Sequence, residues 1–320
     1  MIRNVLGSRL REVGAAGRAA EVTPPTPGPS GKLDVEACYR YCEALARAHH
    51  HNFPVASLFL PSRLRPHVLA LYAFARAADD FADEPRWAGR RAEELDRWED
   101  LLHRCFHGEV DHPIFVALGE TAARFDLPIT PFVDLLSAFR MDLRTRRYAT
   151  WRELMGYATM AARPIGQVML YVFGYRDVER HRYAEELSTA LALTSFWQDI
   201  ARDLGRDRIY VPQEDLKHFG VAEEDLFARR ESPALAALCR SEVARTRAVF
   251  ERARPLVDLV DDDLGVEIAL VWHGGWRALR KIEKAAGRVF GPRVTLSPLD
   301  KARALGHALA RRGTGLLSRI

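Results

Sequence analysis

Hydrophobic positions recur about every 3.6 residues from Leu33 onward, and the strict apolar–polar alternation that marks half-buried strands is nearly absent. This pattern predicts an all-α protein. Asp34 is a predicted N-cap, Pro66 can start the helix that carries a first acidic cluster, and Pro85 closes that helix. The predicted helices cover roughly residues 34–50, 66–84, 89–107, 113–125, 131–145, 151–173, 177–204, 232–260, 262–287 and 298–311.

Two stretches interrupt this pattern. Residues 1–32 include the run Thr23–Gly31, rich in Pro and Gly, and are predicted to form a disordered leader because they cannot bury enough apolar surface. An organelle transit peptide is the alternative. Residues 206–232 are predicted to form a long loop and a candidate lid. No composition shift follows residue 33, so residues 33–320 are predicted to form one helical domain around a central cavity.

The composition narrows the classes of function. The 320 residues are 48% hydrophobic and 28% charged with a net charge of +4, so we expect a soluble protein without a nucleic-acid partner. No run of eighteen apolar residues predicts a spanning helix. Four cysteines without a CxxC pair favour reduced core thiols in a cytoplasmic protein, with a zinc half-site at Cys38 and Cys42 as the alternative. Arg and Leu residues interspersed from 303 to 319 predict either a packing helix or an amphipathic helix peripheral to the inner membrane face.

Two acidic clusters are the strongest chemical signal. Asp79 and Asp83 are four residues apart in a predicted helix, and so are Asp199 and Asp203, about 120 residues further on. Residues at this spacing differ by only ~40° around a helix, so the carboxylates of each pair share a face and repel one another unless a cation lies between them. Because both clusters adjoin apolar helices, their carboxylates need a partner to offset desolvation. Mg²⁺ prefers carboxylate oxygens, water and phosphate, which predicts a metal-diphosphate site; solvated faces paired with Lys or Arg are the alternative.

Several motifs together resemble the squalene and phytoene synthases, which are head-to-head isoprenyl diphosphate synthases. They are Tyr72–Arg76, Asp79–Glu84, Gln198–Asp203 and Arg208–Pro212. Within that family, His49–Ser57 and Phe196–Asp199 are most similar to the hydroxysqualene synthases of bacterial hopanoid biosynthesis. The resemblance covers about residues 33–288 and implies the helical bundle of the isoprenoid synthases.

The resemblance also implies roles for matching residues. A cluster of two or three Mg²⁺ ions would be bound by Asp79, Asp80, Asp83, Asp199 and Asp203, with Glu84 in support. Arg76 would contact the diphosphate, and Tyr72 would orient it or face the developing cation, because both share a stripe with Asp79. An intrahelical pair with Asp80 is the alternative for Arg76. The further substrate-binding residues implied are His49, Asn52, Phe53, Ser195 and Tyr210.

Three positions depart from the pattern of the family. Ala192 and Ser195 replace a Gln and an Asn that members commonly carry, which removes two amide groups near the second cluster. Pro164 lies in a segment that differs from the condensing branch of the family, and it is predicted to kink its helix and free backbone carbonyls toward the cavity. This altered wall favours conversion of the cyclopropyl intermediate over the first condensation.

The resemblance therefore implies the conversion of presqualene diphosphate and water into hydroxysqualene and diphosphate, in cooperation with a presqualene diphosphate synthase. No nicotinamide cofactor is implied, and the chain carries no GxGxxG fingerprint. One alternative is a synthase that condenses two farnesyl or geranylgeranyl diphosphates into presqualene or prephytoene diphosphate. Another is a noncatalytic relative that acts as an assembly or scaffold protein.

Overall fold

Helices account for all the regular secondary structure in the residues that the computed structural model describes, which are 22–28, 31–48, 60–286 and 288–317. The all-α prediction is confirmed. The α-helices are α1 (Val35–Ala48), α2 (Arg65–Asp83), α3 (Arg91–Phe106), α4 (Pro113–Phe125), α5 (Thr130–Arg144), α6 (Trp151–Val172), α7 (Val178–Gln198), α8 (Ile200–Leu204), α9 (Gln213–Phe219), α10 (Glu223–Phe227), α11 (Pro233–Ala253), α12 (Leu256–Leu259), α13 (Asp262–Lys284) and α14 (Pro298–Leu317), with a 3₁₀ turn at Pro85–Trp87.

Side-chain caps explain where several helices begin. The Asp34 carboxylate accepts a hydrogen bond from the backbone N–H of Ala37, at 2.8 Å, as its predicted N-cap role requires. Asp177 caps α7 through the N–H of Arg180, at 2.9 Å. Ser232 caps α11 in the same way, and a proline follows it at the first helical position.

Two predicted helices are interrupted in the structure. The predicted helix 177–204 ends at Gln198 and resumes at Ile200, because Asp199 adopts φ −109° and ψ 12°. The predicted helix 232–260 divides into α11 and α12 at Pro255, whose ring removes a backbone donor. Helix α6, by contrast, continues through Pro164 to its end at Val172. The release of carbonyls toward a cavity at this proline stays a prediction.

The predicted loop between residues 206 and 232 is wrong, because it contains helices α9 and α10. Arg147 holds this segment through the backbone oxygen of Asp207, at 2.7 Å, and through the carboxylate of Glu223, at 3.0 Å. The backbone N–H groups of Ile209 and Gln213 donate to the carbonyls of residues 146 and 148. These bonds fasten the segment and do not support its interpretation as a lid.

The cysteines and the C-terminal helix bear on two further expectations. All four cysteines are free and buried, as expected of core thiols, and burial raises the pKa of Cys38 to about 11 and that of Cys42 to about 12. None of the helices in the described ranges is both long and apolar enough to cross a bilayer. Helix α14 is present, but its side chains from residue 309 onward lie outside the described part, so membrane contact stays a prediction.

Backbone contacts divide the chain into two compact units, Met1–Leu143 with Gln167–Arg176, and Arg144–Gly166 with Asp177–Ile320. The single helical domain from residue 33 to 320 stays a prediction. In the first unit, α1, α2 and α4 pack against one another, and α3 packs on α2 and α4. Buried Tyr39, His67 and Thr121, one from each of α1, α2 and α4, are joined by mutual contacts of 3.0 Å between their polar atoms. This network fixes the orientation of α2, which carries the first acidic cluster.

The second unit is built around α7, which packs on α11, α12 and α13. Helices α7 and α6 approach closely at Gly166, where a Cβ atom would lie 2.7 Å from the Ser188 hydroxyl and 3.1 Å from the Ala184 carbonyl oxygen. Helix α13 does the same at Gly275, where a Cβ would lie 2.7 Å from side-chain atoms of both Leu191 and Phe250. Small residues therefore set how near the neighbouring helices come to α7.

Substitution of Gly275 by alanine tests this close approach. We expect Gly275→Ala to lower the free energy of unfolding by about 1–3 kcal/mol, because the methyl group overpacks a filled core. The matched control is the adjacent Gly274→Ala, where the nearest atom would be an ordinary 3.7 Å away from the new Cβ. That variant should be neutral or up to ~1 kcal/mol more stable through helix propensity. Urea unfolding of both variants measures the contrast, and equal effects would contradict the packing argument.

Glu267 is a buried acid on α13, in the second unit. Only 5% of its surface is exposed, and its Oε1 atom finds no hydrogen-bond partner in the part of the chain that the structure describes. Burial raises the pKa of this carboxyl to about 8, against 4.5 for an ordinary glutamate. The folded state therefore keeps a proton that the unfolded chain has already lost between these two pH values.

Glu267→Gln should remove a pH-dependent loss of stability. Because the folded-state pKa is raised, wild-type stability falls as the pH rises from about 5 to about 8, by at most ~1.4 kcal/mol per pH unit from this group. The stability advantage of the Gln variant over wild type should grow across that window and level off above it. Urea unfolding at several pH values measures this difference, and Glu251→Gln, at an exposed position on α11, controls for the loss of a carboxylate. A constant difference would show that Glu267 is ionised when folded.

Candidate functional site

The first acidic cluster, Asp79, Asp80, Asp83 and Glu84, lies at the C-terminal end of α2 in the first unit. Asp79 and Asp80 are buried, with 1% and 8% of their surface exposed, while Asp83 and Glu84 are half-buried. Tyr72 and Arg76 are also buried and precede Asp80 by two turns and one turn of the same helix. Tyr72, Arg76, Asp79 and Asp80 are therefore all buried on one helix.

Arg76 is the centre of an ion-pair network in this cluster. Its Nη1 atom lies 3.4 Å from Asp79 Oδ2, its Nη2 atom pairs with Asp80 Oδ1, and Nη2 lies 4.0 Å from Glu84 Oε1. The intrahelical pair with Asp80 that the sequence offered as the alternative is therefore present. One buried guanidinium contacts three carboxylates, and it offsets part of the cost of removing them from water.

The second acidic cluster, Asp199 and Asp203, lies at the joint between α7 and α8 in the second unit. The backbone N–H of Asp203 donates to the carbonyl of Asp199 at 2.9 Å, so the helical spacing between the two residues is kept although the helix is interrupted. Asp199 is 2% exposed and Asp203 is half-buried. Burial and the neighbouring Asp199 carboxylate raise the pKa of Asp203 above its ordinary value. Such a pair of acids favours a cation or a proton between its members.

Arg293 forms a two-pronged ion pair with Asp199. Its Nε atom donates to Asp199 Oδ1, and its Nη2 atom donates to Asp199 Oδ2 at 3.1 Å. Ninety-four residues separate the two partners, and Arg293 belongs to the irregular segment between α13 and α14. Neither helical periodicity nor motif spacing links Arg293 to the acidic cluster, so the sequence alone does not predict its contact with Asp199.

The last turn of α7 is anchored residue by residue. The Trp197 indole N–H donates to the Thr246 hydroxyl on α11 at 2.8 Å, and that hydroxyl donates to a backbone carbonyl one turn earlier. The Gln198 amide donates to the Val294 carbonyl, also at 2.8 Å. Because each bond fixes a residue directly before Asp199, the carboxylate of Asp199 is held in a defined place.

A stack of aromatic rings supports the same turn from another side. The rings of Phe196 and Tyr210 lie 4.0 Å apart and are parallel within 7°. Tyr157 lies 6.0 Å from Tyr210 at 14°, and Tyr148 lies 5.1 Å from Tyr157 at 30°. All four rings are buried in the second unit. The stack joins the segment that follows the second cluster to the end of α7.

The predicted site residues fall into three sets. Tyr72, Arg76, Asp79, Asp80 and Asp83 come together on α2, whereas Ser195, Asp199, Asp203 and Tyr210 come together in the second unit. The Ser195 hydroxyl donates to the carbonyl of residue 191 at 3.1 Å, so its contact with substrate stays a prediction. The predicted residues His49, Asn52 and Phe53 lie outside the described residues.

The carboxylates of the two acidic clusters suit one particular mode of Mg²⁺ binding. No group of three or more His, Cys, Asp or Glu side chains in the described ranges converges on a point that could hold an ion. Mg²⁺ in phosphate-transferring sites commonly takes one or two carboxylates and fills its shell with water and substrate phosphate. The carboxylate pairs on α2 and at the α7–α8 joint suit that mode of binding rather than an all-protein cage.

The all-α fold of this chain is similar to that of solved isoprenoid synthases. A solved structure of the squalene synthase HpnC from Alicyclobacillus acidocaldarius has a TM-score of 0.76 and 40% sequence identity, over 81% of this chain and 96% of that one. The hydroxysqualene synthase of Rhodopseudomonas palustris is 34% identical over 253 residues, which are 78% of this chain and 84% of that protein. Phytoene synthase 3 from chloroplasts of Zea mays is 31% identical over 245 residues, or 75% of this chain, and the alignment covers 57% of its own length.

The squalene/phytoene synthase profile matches residues 46–300. This chain belongs to the squalene/phytoene synthase family, whose members are isoprenoid synthases that act on prenyl diphosphates. The resemblance stated from the motifs is confirmed at this level.

The Thr246 hydroxyl offers a test of the anchored turn. Thr246→Val should lower the free energy of unfolding by about 1–3 kcal/mol, because the buried Trp197 indole N–H then has no acceptor. Thr246→Ser keeps the hydroxyl and is the matched control, with a smaller loss from one deleted methyl group. Chemical unfolding monitored by circular dichroism measures both, and a valine variant as stable as the serine variant would show that the bond contributes little.

Proposed function

We propose that this protein converts presqualene diphosphate and water into hydroxysqualene and diphosphate, with Mg²⁺ bound to the aspartates of the two acidic clusters. The observation that carries the proposal is that all four principal aspartates are present, with Asp79 and Asp199 buried beside guanidinium groups. The hydroxysqualene synthase among the relatives supports this choice of reaction. A presqualene diphosphate synthase would supply the substrate.

The reaction balances without a reductant. The bond between the cyclopropylcarbinyl carbon and the diphosphate oxygen breaks, and the cation that remains rearranges with cleavage of carbon–carbon bonds of the cyclopropane ring. The oxygen of water then bonds to the carbon that carries the positive charge after ring opening, and the water releases a proton. No hydride is transferred, so no nicotinamide cofactor takes part in the proposed reaction. Cooperation with a second synthase follows because the cyclopropyl substrate must be made from two farnesyl diphosphates beforehand.

The residues of the chain would act mainly on the leaving group. Mg²⁺ held by the carboxylates would supply Lewis-acid stabilisation of the negative charge on diphosphate. Arg76 carries a fork of N–H donors that suits phosphate oxygens, and its ion pairs hold it in the buried part of α2. Tyr72, one turn earlier on the same helix, would orient the diphosphate or face the developing cation. Preorganised groups of this kind lower the barrier because they need no rearrangement during the reaction.

A condensing synthase is the second candidate function. The phytoene synthases among the relatives support it, as does the family's head-to-head condensation of prenyl diphosphates. A noncatalytic scaffold protein is the third hypothesis. The presence of all four aspartates, Asp79, Asp83, Asp199 and Asp203, argues against it.

Product analysis separates these functions. Purified protein with Mg²⁺ should form hydroxysqualene from presqualene diphosphate and should form no product from farnesyl diphosphate alone. Formation of presqualene diphosphate from farnesyl diphosphate would favour the condensing synthase. Release of diphosphate from none of the prenyl diphosphates, geranylgeranyl diphosphate included, would favour the scaffold reading.

Single aspartate variants test the proposed metal ligands. Asp79→Asn and Asp199→Asn should each reduce diphosphate release by about a hundredfold or more, because each removes a carboxylate proposed to hold the Mg²⁺ that stabilises the leaving group. The control is Asp96→Asn, at a position 65% exposed that pairs with Arg140 on the surface, where little energy is at stake. Circular dichroism checks the fold of each variant. Normal turnover in either cluster variant would contradict the assignment.

A further inference from the structure

The pair between Arg293 and Asp199 occupies both oxygens of the carboxylate that the proposed function assigns to the metal. The two N–H donors of Arg293 meet Oδ1 and Oδ2 of Asp199 separately, in the fork geometry that makes such pairs strong. Asp199 is 2% exposed, so water screens this interaction little. A cation that binds Asp199 must therefore share or displace the guanidinium.

We propose that Arg293 is an internal competitor of the divalent cation at Asp199, so that a metal ion enters the second acidic cluster only when the guanidinium leaves the carboxylate. This proposal rests on the proposed function, because it takes Asp199 as a metal ligand. Two positive groups on one carboxylate repel each other, so the free energy of the ion pair is subtracted from that of metal binding. The substrate-free protein then binds metal weakly, and Arg293 sets how weakly.

The backbone on the C-terminal side of Arg293 is held in place by hydrogen bonds. Entry of a cation at Asp199 would therefore be met by a movement of the Arg293 side chain. The carbonyl of Val294 accepts a hydrogen bond from Gln198, at 2.8 Å, and the carbonyl of Thr295 accepts one from Lys281, at 3.0 Å. Arg293 itself is half-buried, so its long side chain can reorient without unpacking the core. The proposed exchange therefore moves the guanidinium while the backbone at residues 294 and 295 stays in place.

The first acidic cluster differs in this respect. Arg76 lies on the same helix as its carboxylates and divides its donors among three of them, whereas Arg293 comes from a distant segment and gives two donors to the single carboxylate of Asp199. The competition is therefore proposed for the second acidic cluster. It predicts that metal affinity responds to a substitution 94 residues away in sequence.

Calorimetric titration of the substrate-free protein with MgCl₂ tests this directly. Arg293→Gln should bind Mg²⁺ roughly tenfold more tightly than wild type, because a charge-assisted pair of this kind is worth about that factor in an equilibrium constant. Arg293→Lys keeps the charge but loses the fork, and its affinity should fall between the two. Arg277→Gln, which removes an ion pair to Asp300 on the α13–α14 side, is the control and should bind as wild type does.

The outcomes separate this proposal from the proposed function. Mg²⁺ affinity of Arg293→Gln equal to or below that of wild type, or no Mg²⁺ binding by any variant, overturns the competition. If Arg293→Gln does not fold by circular dichroism, the folded Arg293→Lys decides in its place, and an affinity no higher than wild type overturns the proposal. Tighter binding in the variants together with no turnover of presqualene diphosphate would support the competition while refuting the proposed reaction.

Discussion

Burial of carboxylates beside guanidinium groups is the constraint on which this molecule depends. Asp79 and Asp199 are almost completely removed from water, and each is contacted by an arginine, Arg76 or Arg293. Buried charges are tolerated only when they are paired, because desolvation costs several kcal/mol per ion. In the proposed function this burial has two opposed effects on metal binding, because water competes little for the carboxylates whereas the guanidinium groups do compete. The same ion pairs would then set both the stability of the protein without metal and its affinity for metal.

In the second acidic cluster, packing around the last turn of α7 determines where the buried Asp199 carboxylate lies. Helix α7 packs against several other helices. Its last turn is fixed by three contacts: Trp197 donates to Thr246 on α11, Gln198 donates to Val294 in the segment before α14, and the ring of Phe196 stacks on that of Tyr210. The chain then leaves helical geometry at Asp199 for one residue. A carboxylate at a helix joint, held by its immediate neighbours, is positioned more firmly than one on an exposed helix face.

The sequence alone was sufficient for the class of fold, most helix ends and the two acidic clusters, because these follow from local patterns of three to five residues. It was insufficient where distant segments meet. The pair of Arg293 with Asp199 and the approach of Gly275 to Phe250 depend on tertiary packing that has no local signature. The break at Asp199 was missed for a different reason, since neither Gly nor Pro stands next to Asp199 to mark the end of a helix. Helices α9 and α10, between residues 206 and 232, were missed because both are shorter than two helical turns and too short to show a hydrophobic period.

Positions 192 and 195, where the motif resemblance implies that this chain departs from its family, both lie on the packed helix α7. Ala192 is completely buried, and Ser195 gives its hydroxyl hydrogen to a carbonyl of its own helix. Neither position offers the amide N–H donors that Gln and Asn would supply to phosphate or to metal-bound water. In the proposed function, charge neutralisation of the departing diphosphate would then come to a larger extent from the metal and from the arginines. If Arg293 competes with the metal for Asp199, as proposed, the contributions of the metal and of this arginine would be coupled. Binding of the cation to Asp199 would release the guanidinium from the carboxylate at the same step.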